Sequence, residues 1–336
     1  MKKFIKVDRG GLSLQQNQSF MVKHPLINKV VENVEQVVVG KRKEVTLSLI
    51  AMLSGGHVLL EDVPGVGKTM MVRAIAKSIG ANFKRIQFTP DLLPSDVTGV
   101  SVYDQKTMEF KFRPGPIMAN VVLADEINRT SPKTQAALLE ALEEASVTTD
   151  GETRQLEKPF FVMATQNPIE YGGTYPLPEA QLDRFLFKFK IGYPSHQEEM
   201  EVLNRVEKQH PIEKIEAVLS LEELLIMQKE VTEIYVDESI KSYIISIVNE
   251  TRNHNSVYLG ASPRGSIALM KAAQSLAFIQ GREYVIPDDI KFLAPYALGH
   301  RIILNSDSKF ANVSTSVVVS EILQRVKIPV RKEAVR

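Results

Sequence analysis

Apolar positions along the chain predict strands that alternate with helices over its first two thirds. Short apolar runs are typical of buried strands and cover residues 58–60, 83–88, 121–124 and 160–164, while alternation over 185–191 predicts a fifth strand. Apolar residues at helical spacing lie between these runs, as in residues 68–79. Because strands separated by helices usually pair in parallel, the pattern predicts an α/β fold with a five-stranded parallel sheet.

Beyond the fifth strand the pattern changes to helical spacing almost throughout. The change falls at Gly192-Tyr193-Pro194-Ser195. It predicts a core domain over residues 21–192 and an all-helical domain over 193–336, preceded by a mobile polar arm over residues 1–20. Within the core we expect two hairpins, near 101–112 and 146–157, the second around the turn signal Asp150-Gly151.

Composition excludes several classes of protein. The 336 residues include no cysteine, and 41 basic and 40 acidic residues give a formal net charge of +1. Disulfides and thiolate metal sites are therefore excluded, and the charge gives no footprint of nucleic-acid binding. No apolar run approaches the ~18 residues that span a bilayer. No apolar segment of a secretory signal follows the basic start, so we expect no membrane insertion and a cytoplasmic protein.

Residues 57–79 have the layout of a phosphate-binding loop: a strand, a glycine-containing turn, Lys-Thr and a helix. Backbone N–H groups of such a turn and the N-terminus of the helix attract phosphate oxygens. Lys68 is expected to reach the outer phosphates of a bound nucleotide, and the Thr69 hydroxyl to ligate Mg²⁺. The predicted nucleotide-binding residues here are Asp62, Val63, Pro64, Gly65, Val66, Gly67, Lys68, Thr69 and Met70.

One position of this loop departs from the general pattern. G-x-x-x-x-G-K-[ST] requires glycine at position 62, where this chain has Asp62. The alternative interpretation is a glycine-rich turn that only caps an ordinary helix. The predicted strand before the turn and the helix after it favour the phosphate-binding loop.

Polar residues follow the third and fourth predicted strands. Asp125 and Glu126 end the third strand, and Asn167 follows the fourth. Open parallel sheets place their sites at the carboxyl ends of strands, and nucleotide hydrolysis needs a carboxylate near Mg²⁺ and a second group that orients water. These three residues are candidates for that chemistry. Helix capping is the alternative for the acidic pair, and a turn before Pro168 explains Asn167 equally well.

Two arginines are candidates for contacts with phosphate. Arg264 lies in the first turn of a helix that Ser262 is predicted to cap, where a cation opposes the helix dipole unless an anion approaches. Arg184 ends the segment PEAQLDR. The alternatives are a solvated surface residue for Arg264 and an intramolecular ion pair for Arg184. Arg129 and Arg113 are further loop arginines with similar alternatives.

Together these motifs resemble the MoxR family of AAA+ ATPases over roughly residues 24–330. EDVPGVGKT resembles its Walker A loop, including the non-glycine residue at 62, and VVLADEINR resembles its Walker B segment. MATQNP is similar to sensor 1, PLPEAQLDRF to the segment that donates an arginine finger, and GASPRG to sensor 2. The resemblance implies an AAA+ αβα core, a helical lid and a hexameric ring with ATP sites between subunits.

The resemblance also implies roles for individual residues. The break at Val39-Gly40 resembles the adenine-contacting turn, and the two hairpins resemble the helix-2 insert and the pre-sensor-1 hairpin. Arg264 is expected to act on the nucleotide of its own subunit and Arg184 on that of a neighbour. The implied catalytic residues are Glu126 and Asn167 at the water, Arg184 and Arg264 at the phosphates, and Asp125 with Thr69 at Mg²⁺.

The function that we expect is Mg²⁺-dependent ATP hydrolysis, coupled to remodelling of a protein client or to metal-cofactor insertion. Such proteins often act beside a partner with a von Willebrand A domain, which would be a separate chain here. The alternative is a nucleotide-gated scaffold with incidental turnover, against which Glu126 argues. A nucleic-acid motor is disfavoured by the near-neutral charge.

Overall fold

The computed structural model describes residues 22–63, 65–168, 174–207 and 211–329, so the predicted arm over residues 1–20 lies outside it. The helices of the core are α1 (Pro25–Glu35), α2 (Arg42–Leu53), α3 (Lys68–Ser78), α4 (Pro94–Thr98), α5 (Pro132–Glu144) and α6 (Glu179–Leu182). Its strands are β1 (Val58–Glu61), β2 (Phe83–Gln87), β3 (Gly99–Asp104), β4 (Glu109–Pro114), β5 (Val121–Asp125), β6 (Ser146–Thr149), β7 (Glu152–Gln155), β8 (Phe161–Gln166) and β9 (Phe187–Phe189).

Five of these strands form one parallel sheet in the order β2-β5-β8-β1-β9, which confirms the predicted sheet. Since every strand runs the same way, the segments that follow β5, β8 and β1 meet at one edge. This order places the Asp125-Glu126 pair, Asn167 and the glycine turn side by side, as open α/β sheets do with their sites.

The strands alternate between two apolar layers, so helices cover both faces of the sheet. In β1, Val58 and Leu60 join a cluster that includes α1, α2 and α3, whereas Leu59 joins the cluster around α5. Successive side chains of a strand point to opposite faces. The core is therefore the expected αβα sandwich.

Both predicted hairpins are present. β3 pairs with β4 and β6 with β7, each antiparallel. Asp150 and Gly151, between β6 and β7, have φ values of 54° and 79°. Positive φ at both central residues is the requirement of the tight hairpin turn that an Asp-Gly pair favours.

The second domain contains α7 (His196–Val206), α8 (Leu221–Glu233), α9 (Glu238–Asn253), β10 (Val257–Leu259), α10 (Pro263–Ile279), α11 (Pro287–Leu298), β11 (Ile303–Leu304), α12 (Ser306–Phe310) and α13 (Thr315–Arg325). It is helical as predicted, with one short antiparallel ribbon of β10 and β11 that the sequence pattern did not indicate. The ribbon is too short to give a periodic signal. Over the described residues, no helix is both long and apolar enough for a membrane span.

Candidate nucleotide site

The turn after β1 has the backbone of a phosphate-binding loop. Gly65 and Gly67 have φ values of 87° and 86°, a region that glycine enters without steric cost. Gly67 immediately precedes α3, so the turn delivers the chain to a helix N-terminus. The Lys68 ammonium donates to the carbonyl oxygens of Asp62 (3.1 Å) and Val63 (3.2 Å). The predicted residue Pro64 lies outside the described residues.

Asp62 uses its side chain for a purpose that the motif alone does not reveal. Asp62 is 5% exposed, and its carboxylate accepts hydrogen bonds from the N–H groups of Ile191 and of Gly192, the latter at 3.2 Å. These two residues lie in the segment between β9 and α7. Asp62 therefore ties the phosphate-binding loop to the connection between the two domains.

At the end of β5, both carboxylate oxygens of Asp125 have protein partners. The Thr165 hydroxyl donates to Oδ1 at 2.6 Å. Arg85 of β2 donates to Oδ2 through Nη2 at 2.6 Å and through Nε at 3.1 Å. Charge-assisted bonds of this kind hold the carboxylate in a defined orientation.

Glu126 follows with a left-handed backbone, at φ 59° and ψ 48°. Its N–H donates to the Thr165 hydroxyl at 2.9 Å, so one threonine positions both acidic residues. Its carboxylate oxygen Oε2 accepts from Gln87 at 2.7 Å and from Arg129 at 2.9 Å. Arg129, a candidate for phosphate contact, thus pairs with the proposed water-activating group instead.

Asn167 lies one strand away, after β8, and is 7% exposed. Its carbonyl oxygen accepts from the Asn128 side chain at 3.3 Å. The segments around Lys68, Asp125, Glu126 and Asn167 therefore share one edge of the sheet. The structure brings together these four predicted residues.

The residues at this edge suit Mg²⁺ bound with nucleotide phosphates. Mg²⁺ takes hard oxygen ligands and needs only one or two carboxylates when phosphates supply the rest. Asp125 carries such a carboxylate, and because its Oδ2 is paired with Arg85, Mg²⁺ would share this oxygen with the guanidinium or displace it. Thr69, at the start of α3, carries the hydroxyl that the motif assigns to the metal.

Arg184 and Arg264 lie close together, although they come from different domains. Glu143 at the end of α5 accepts from Arg184 through Oε2 at 2.9 Å and from Arg264 through Oε1. The intramolecular ion pair considered for Arg184 is therefore present. The side chains of Arg184 and Arg264 are nevertheless 28% and 54% exposed, so a phosphate can reach both.

This pair of arginines lies at the amino edge of the sheet, opposite the phosphate-binding loop. Leu142, next to Glu143, bonds through its carbonyl oxygen to the ring of His57 at 3.1 Å, and His57 immediately precedes β1. Leu186, two residues after Arg184, donates to the His57 carbonyl oxygen at 2.8 Å. The loop follows the other end of β1, roughly 13 Å away at the usual rise of a strand.

The expectation that Arg264 acts on the nucleotide of its own subunit does not fit this arrangement. The lid docks with the N-terminus of α10 against the Arg184 segment, since the Ser262 hydroxyl donates to Asp183 at 2.9 Å. Arg264 is therefore held on the same side as Arg184. Sequence position could not reveal this, because the docking of the lid decides it.

The predicted adenine turn also contacts the second domain. Gly40 has φ 71°, and a Cβ added to it would overlap the carboxylate of Glu198 in the first turn of α7. Lys41 donates to the Tyr193 carbonyl oxygen at 3.1 Å. Val39 and Gly40 thus lie where the core meets the connection to the lid.

Five residues around these sites escaped sequence reasoning: Arg85, Gln87, Thr165, Glu143 and Arg301. Arg85 and Gln87 are polar residues two apart in a strand, and Thr165 lies within the sensor 1 segment two residues before Asn167, so the local pattern carried a signal for these three. Glu143 and Arg301 had none, because only the fold brings them to Arg184.

Comparisons with known proteins agree with this geometry. Residues 57–187 match the ATPase family associated with various cellular activities (AAA), and residues 249–322 match the AAA lid domain.

Two relatives and one solved structure extend the likeness over most of the chain. The uncharacterised YeaC of Bacillus subtilis is 66% identical over 313 residues, which cover 93% of this chain and 98% of YeaC. Chaperone MoxR1 of Mycobacterium tuberculosis is 43% identical over 90% of this chain and 82% of its own length. A crystal structure from Cytophaga hutchinsonii, described as a candidate ATPase, has a TM-score of 0.87 at 40% identity and covers 95% of this chain and 100% of that one. With a nucleotide-binding edge, a lid and these relatives, the chain belongs to the MoxR family of AAA+ ATPases.

Proposed function

We propose that this chain hydrolyses ATP with Mg²⁺ in a ring of identical subunits, which we expect to be hexameric. The observation that carries the proposal is the separation of two groups of residues. Lys68, Asp125, Glu126 and Asn167 share the carboxyl edge of the sheet, while the arginine pair lies at the amino edge. A complete site then needs the amino edge of a second subunit.

Within one subunit, each residue at the carboxyl edge has a distinct task. Lys68 would leave its loop carbonyls for phosphate oxygens, and the N-terminus of α3 adds a favourable dipole. Glu126 would orient and deprotonate the attacking water, with Asn167 holding that water. Mg²⁺, held by Asp125 and Thr69, would neutralise charge on the phosphates.

The neighbouring subunit would supply positive charge where it develops during phosphoryl transfer. Arg184 and Arg264 both bond Glu143, so their two guanidinium groups lie side by side on one exposed surface. An arginine that acts in this way is worth ~10³–10⁵ in rate in other phosphoryl-transfer enzymes. We therefore assign both arginines to the pocket of the adjacent subunit.

We further propose that hydrolysis serves to remodel a protein client. The hairpin of β3 and β4 exposes apolar side chains, including Met108 (71%) and Phe110 (74%), on which a client could bind. The relative from Mycobacterium tuberculosis is named a chaperone. Metal-cofactor insertion, a separate von Willebrand A partner and a cytoplasmic location stay predictions from the sequence.

A mixing experiment tests the shared site. Lys68→Ala subunits cannot use their own pocket but keep Arg184, and Arg184→Ala subunits keep the pocket but lack that arginine. Each variant alone should be nearly inactive. Mixed rings should regain ATPase activity, because some intact pockets then face an intact Arg184.

Subunit exchange must be shown independently, for example by energy transfer between labelled variants. If exchange occurs and the activity stays at the level of the separate variants, the assignment of Arg184 to a neighbour is wrong. Arg264→Ala should behave like Arg184→Ala in the same mixtures. If Arg264→Ala is not rescued while Arg184→Ala is, Arg264 acts within its own subunit.

A further inference from the structure

A buried arginine of the lid bonds the backbone on both sides of Arg184, beside His300, whose ring bonds the Phe185 carbonyl oxygen at 2.9 Å. Arg301 follows α11, and its side chain is 3% exposed. It donates to Asp183 Oδ1 at 2.6 Å and to the carbonyl oxygens of Asp183 (2.9 Å), Phe185 (2.8 Å) and Leu186 (3.2 Å). Arg301 thus makes four hydrogen bonds to residues on both sides of Arg184 in the chain.

Asp183 extends this connection to a second element of the lid. Its Oδ2 accepts from the hydroxyl of Ser262, which also caps α10, the helix that carries Arg264. The Asp183 carboxylate therefore connects residues 183–186, the finger segment, to Arg301 and to the start of α10.

The chemistry of this contact indicates that Arg301 fixes the position of residues 183–186 and does not mainly stabilise the contact between the two domains. Burial lowers the pKa of the Arg301 guanidinium below its ordinary value, and the nearby Asp183 carboxylate opposes that shift. Taking a cation and a carboxylate out of water costs much of what their attraction returns, so apolar side chains would join two domains at least as well. What the planar guanidinium adds is a fixed direction for each of several acceptors.

We propose that Arg301 is a positioning residue for Arg184, through which the lid of one subunit sets the arginine that enters its neighbour's pocket. The inference rests on the proposed function, because it assumes that Arg184 acts across a subunit boundary. Because the Arg301 side chain is 3% exposed, we assign it an action through the Arg184 segment and not a direct contact with nucleotide.

A consequence is that the two edges of a subunit are mechanically linked. The segment between β9 and the lid is bonded to Asp62 of the phosphate-binding loop, and the lid is bonded to the Arg184 segment through Arg301. A shift of the lid when the loop binds nucleotide would move Arg184 at the opposite edge.

The test uses Arg301→Lys in the mixed rings described above, placed in one partner at a time. Lysine keeps the charge but cannot bond several diverging acceptors at once. In the first arrangement, Arg301→Lys is added to the Lys68→Ala subunits, which donate Arg184. At saturating ATP, their mixture with Arg184→Ala subunits should be about tenfold less active than the same mixture without Arg301→Lys. The reason is that a small misplacement of a catalytic group is costly in rate. KM should not change, because the working pocket is unaltered.

In the subunits that donate the pocket, the same substitution should have little effect. There Arg301→Lys is combined with Arg184→Ala, so no finger remains for it to misplace. This asymmetry separates positioning from structural support. A general loss of lid stability would lower activity in both arrangements.

Two further variants make the outcome decisive. Asp183→Asn, a milder change to the same contact, should reproduce the asymmetry if Arg301→Lys subunits fail to fold. Arg282→Lys is the matched control, because Arg282 forms a comparable ion pair with Asp289 (2.6 Å) inside the lid and bonds residues 280, 284 and 289 of the lid itself. Arg282→Lys should change the ATPase activity by the same factor whether it is placed in the finger donors or in the pocket donors.

Equal activity with and without Arg301→Lys in the finger donors would overturn the inference, as would an equal loss in both arrangements. These results differ from failure of the proposed function. In that case Lys68→Ala and Arg184→Ala subunits would not rescue each other even with Arg301 intact.

Discussion

At the scale of single residues, the carboxyl edge of the sheet is held by a few directed hydrogen bonds. Glu126 has a left-handed backbone, which costs a non-glycine residue about 1–2 kcal/mol. The Thr165 hydroxyl stabilises this conformation by accepting from the Glu126 N–H while it donates to Asp125. Strain of this kind is retained where the surrounding structure requires a side chain in one direction.

Replacing Glu126 by Gln should separate ATP binding from hydrolysis. Glutamine keeps the size of the side chain and one oxygen that can accept from Gln87 and Arg129, but it cannot accept a proton from water. We expect binding of labelled ATP and ring assembly to be retained, while turnover falls by ~10²-fold or more, the scale of positioned acid–base catalysis. Glu144→Gln, at an exposed position of α5, is the control for the substitution. Near-normal turnover of Glu126→Gln would contradict the water-activating role.

At the scale of elements, the unit formed by β1, the loop and α3 is joined to the lid by Asp62. The carboxylate bonds two backbone N–H groups at the point where the chain leaves β9. A buried N–H without an acceptor costs about 1–3 kcal/mol. The departure from the glycine pattern at this position therefore has a structural reason, and phosphate binding can still use the backbone of the loop.

Asp62→Gly, which restores the general pattern, should lower the free energy of unfolding by roughly 2 kcal/mol, since two N–H groups lose their acceptor. The free energy of unfolding of Asp62→Asn should lie between that of Asp62→Gly and that of the unchanged chain. Its single amide oxygen can replace only one of the two carboxylate oxygens as acceptor. Both variants should still bind ATP through Lys68 and the loop. Chemical denaturation measures the first effect and nucleotide titration the second. Unchanged stability of Asp62→Gly would show that these bonds contribute nothing net.

At the scale of the whole molecule, His57 joins three parts of the core near the amino edge. Its Nδ1 accepts from the Val162 N–H at 3.1 Å, so its Nε2 carries the proton and donates to the Leu142 carbonyl oxygen at 3.1 Å. Burial lowers the pKa of His57 from 6.5 to about 4. Burial also lowers the pKa of His300 well below its ordinary value. The folded chain thus contains two buried neutral histidines, His57 in the core domain and His300 in the lid.

This predicts acid sensitivity of the fold. Between pH 6.5 and about 4 the unfolded chain takes up a proton at position 57 that the folded chain does not, so the stability is full above pH 6.5 and falls as the pH decreases. A shift of this size corresponds to roughly 3 kcal/mol for His57. His57→Gln should flatten the plot of unfolding free energy against pH over this window, relative to the unchanged chain. His196→Gln, at an exposed position of α7, is the control. Parallel curves for His57→Gln and the unchanged chain would refute the assignment.

The parts of the structure that were predictable depend on neighbours in sequence. Glycines 65 and 67, the Asp150-Gly151 turn, and the Ser131 and Ser262 helix caps act over a few residues, where turn and capping chemistry decides the backbone. Strand alternation and parallel pairing then placed Lys68, Asp125 and Asn167 at one edge.

The amino-acid sequence by itself therefore determined the fold of the core and the set of residues at the carboxyl edge of its sheet. Only the tertiary structure decided that Glu143 pairs with Arg184 and Arg264, that Arg301 surrounds the finger segment, and that Arg264 lies away from its own loop. These contacts join residues up to 121 positions apart. No local pattern encodes them, because they depend on how the packed lid docks against the core, which is settled by the burial of apolar surface along the whole interface.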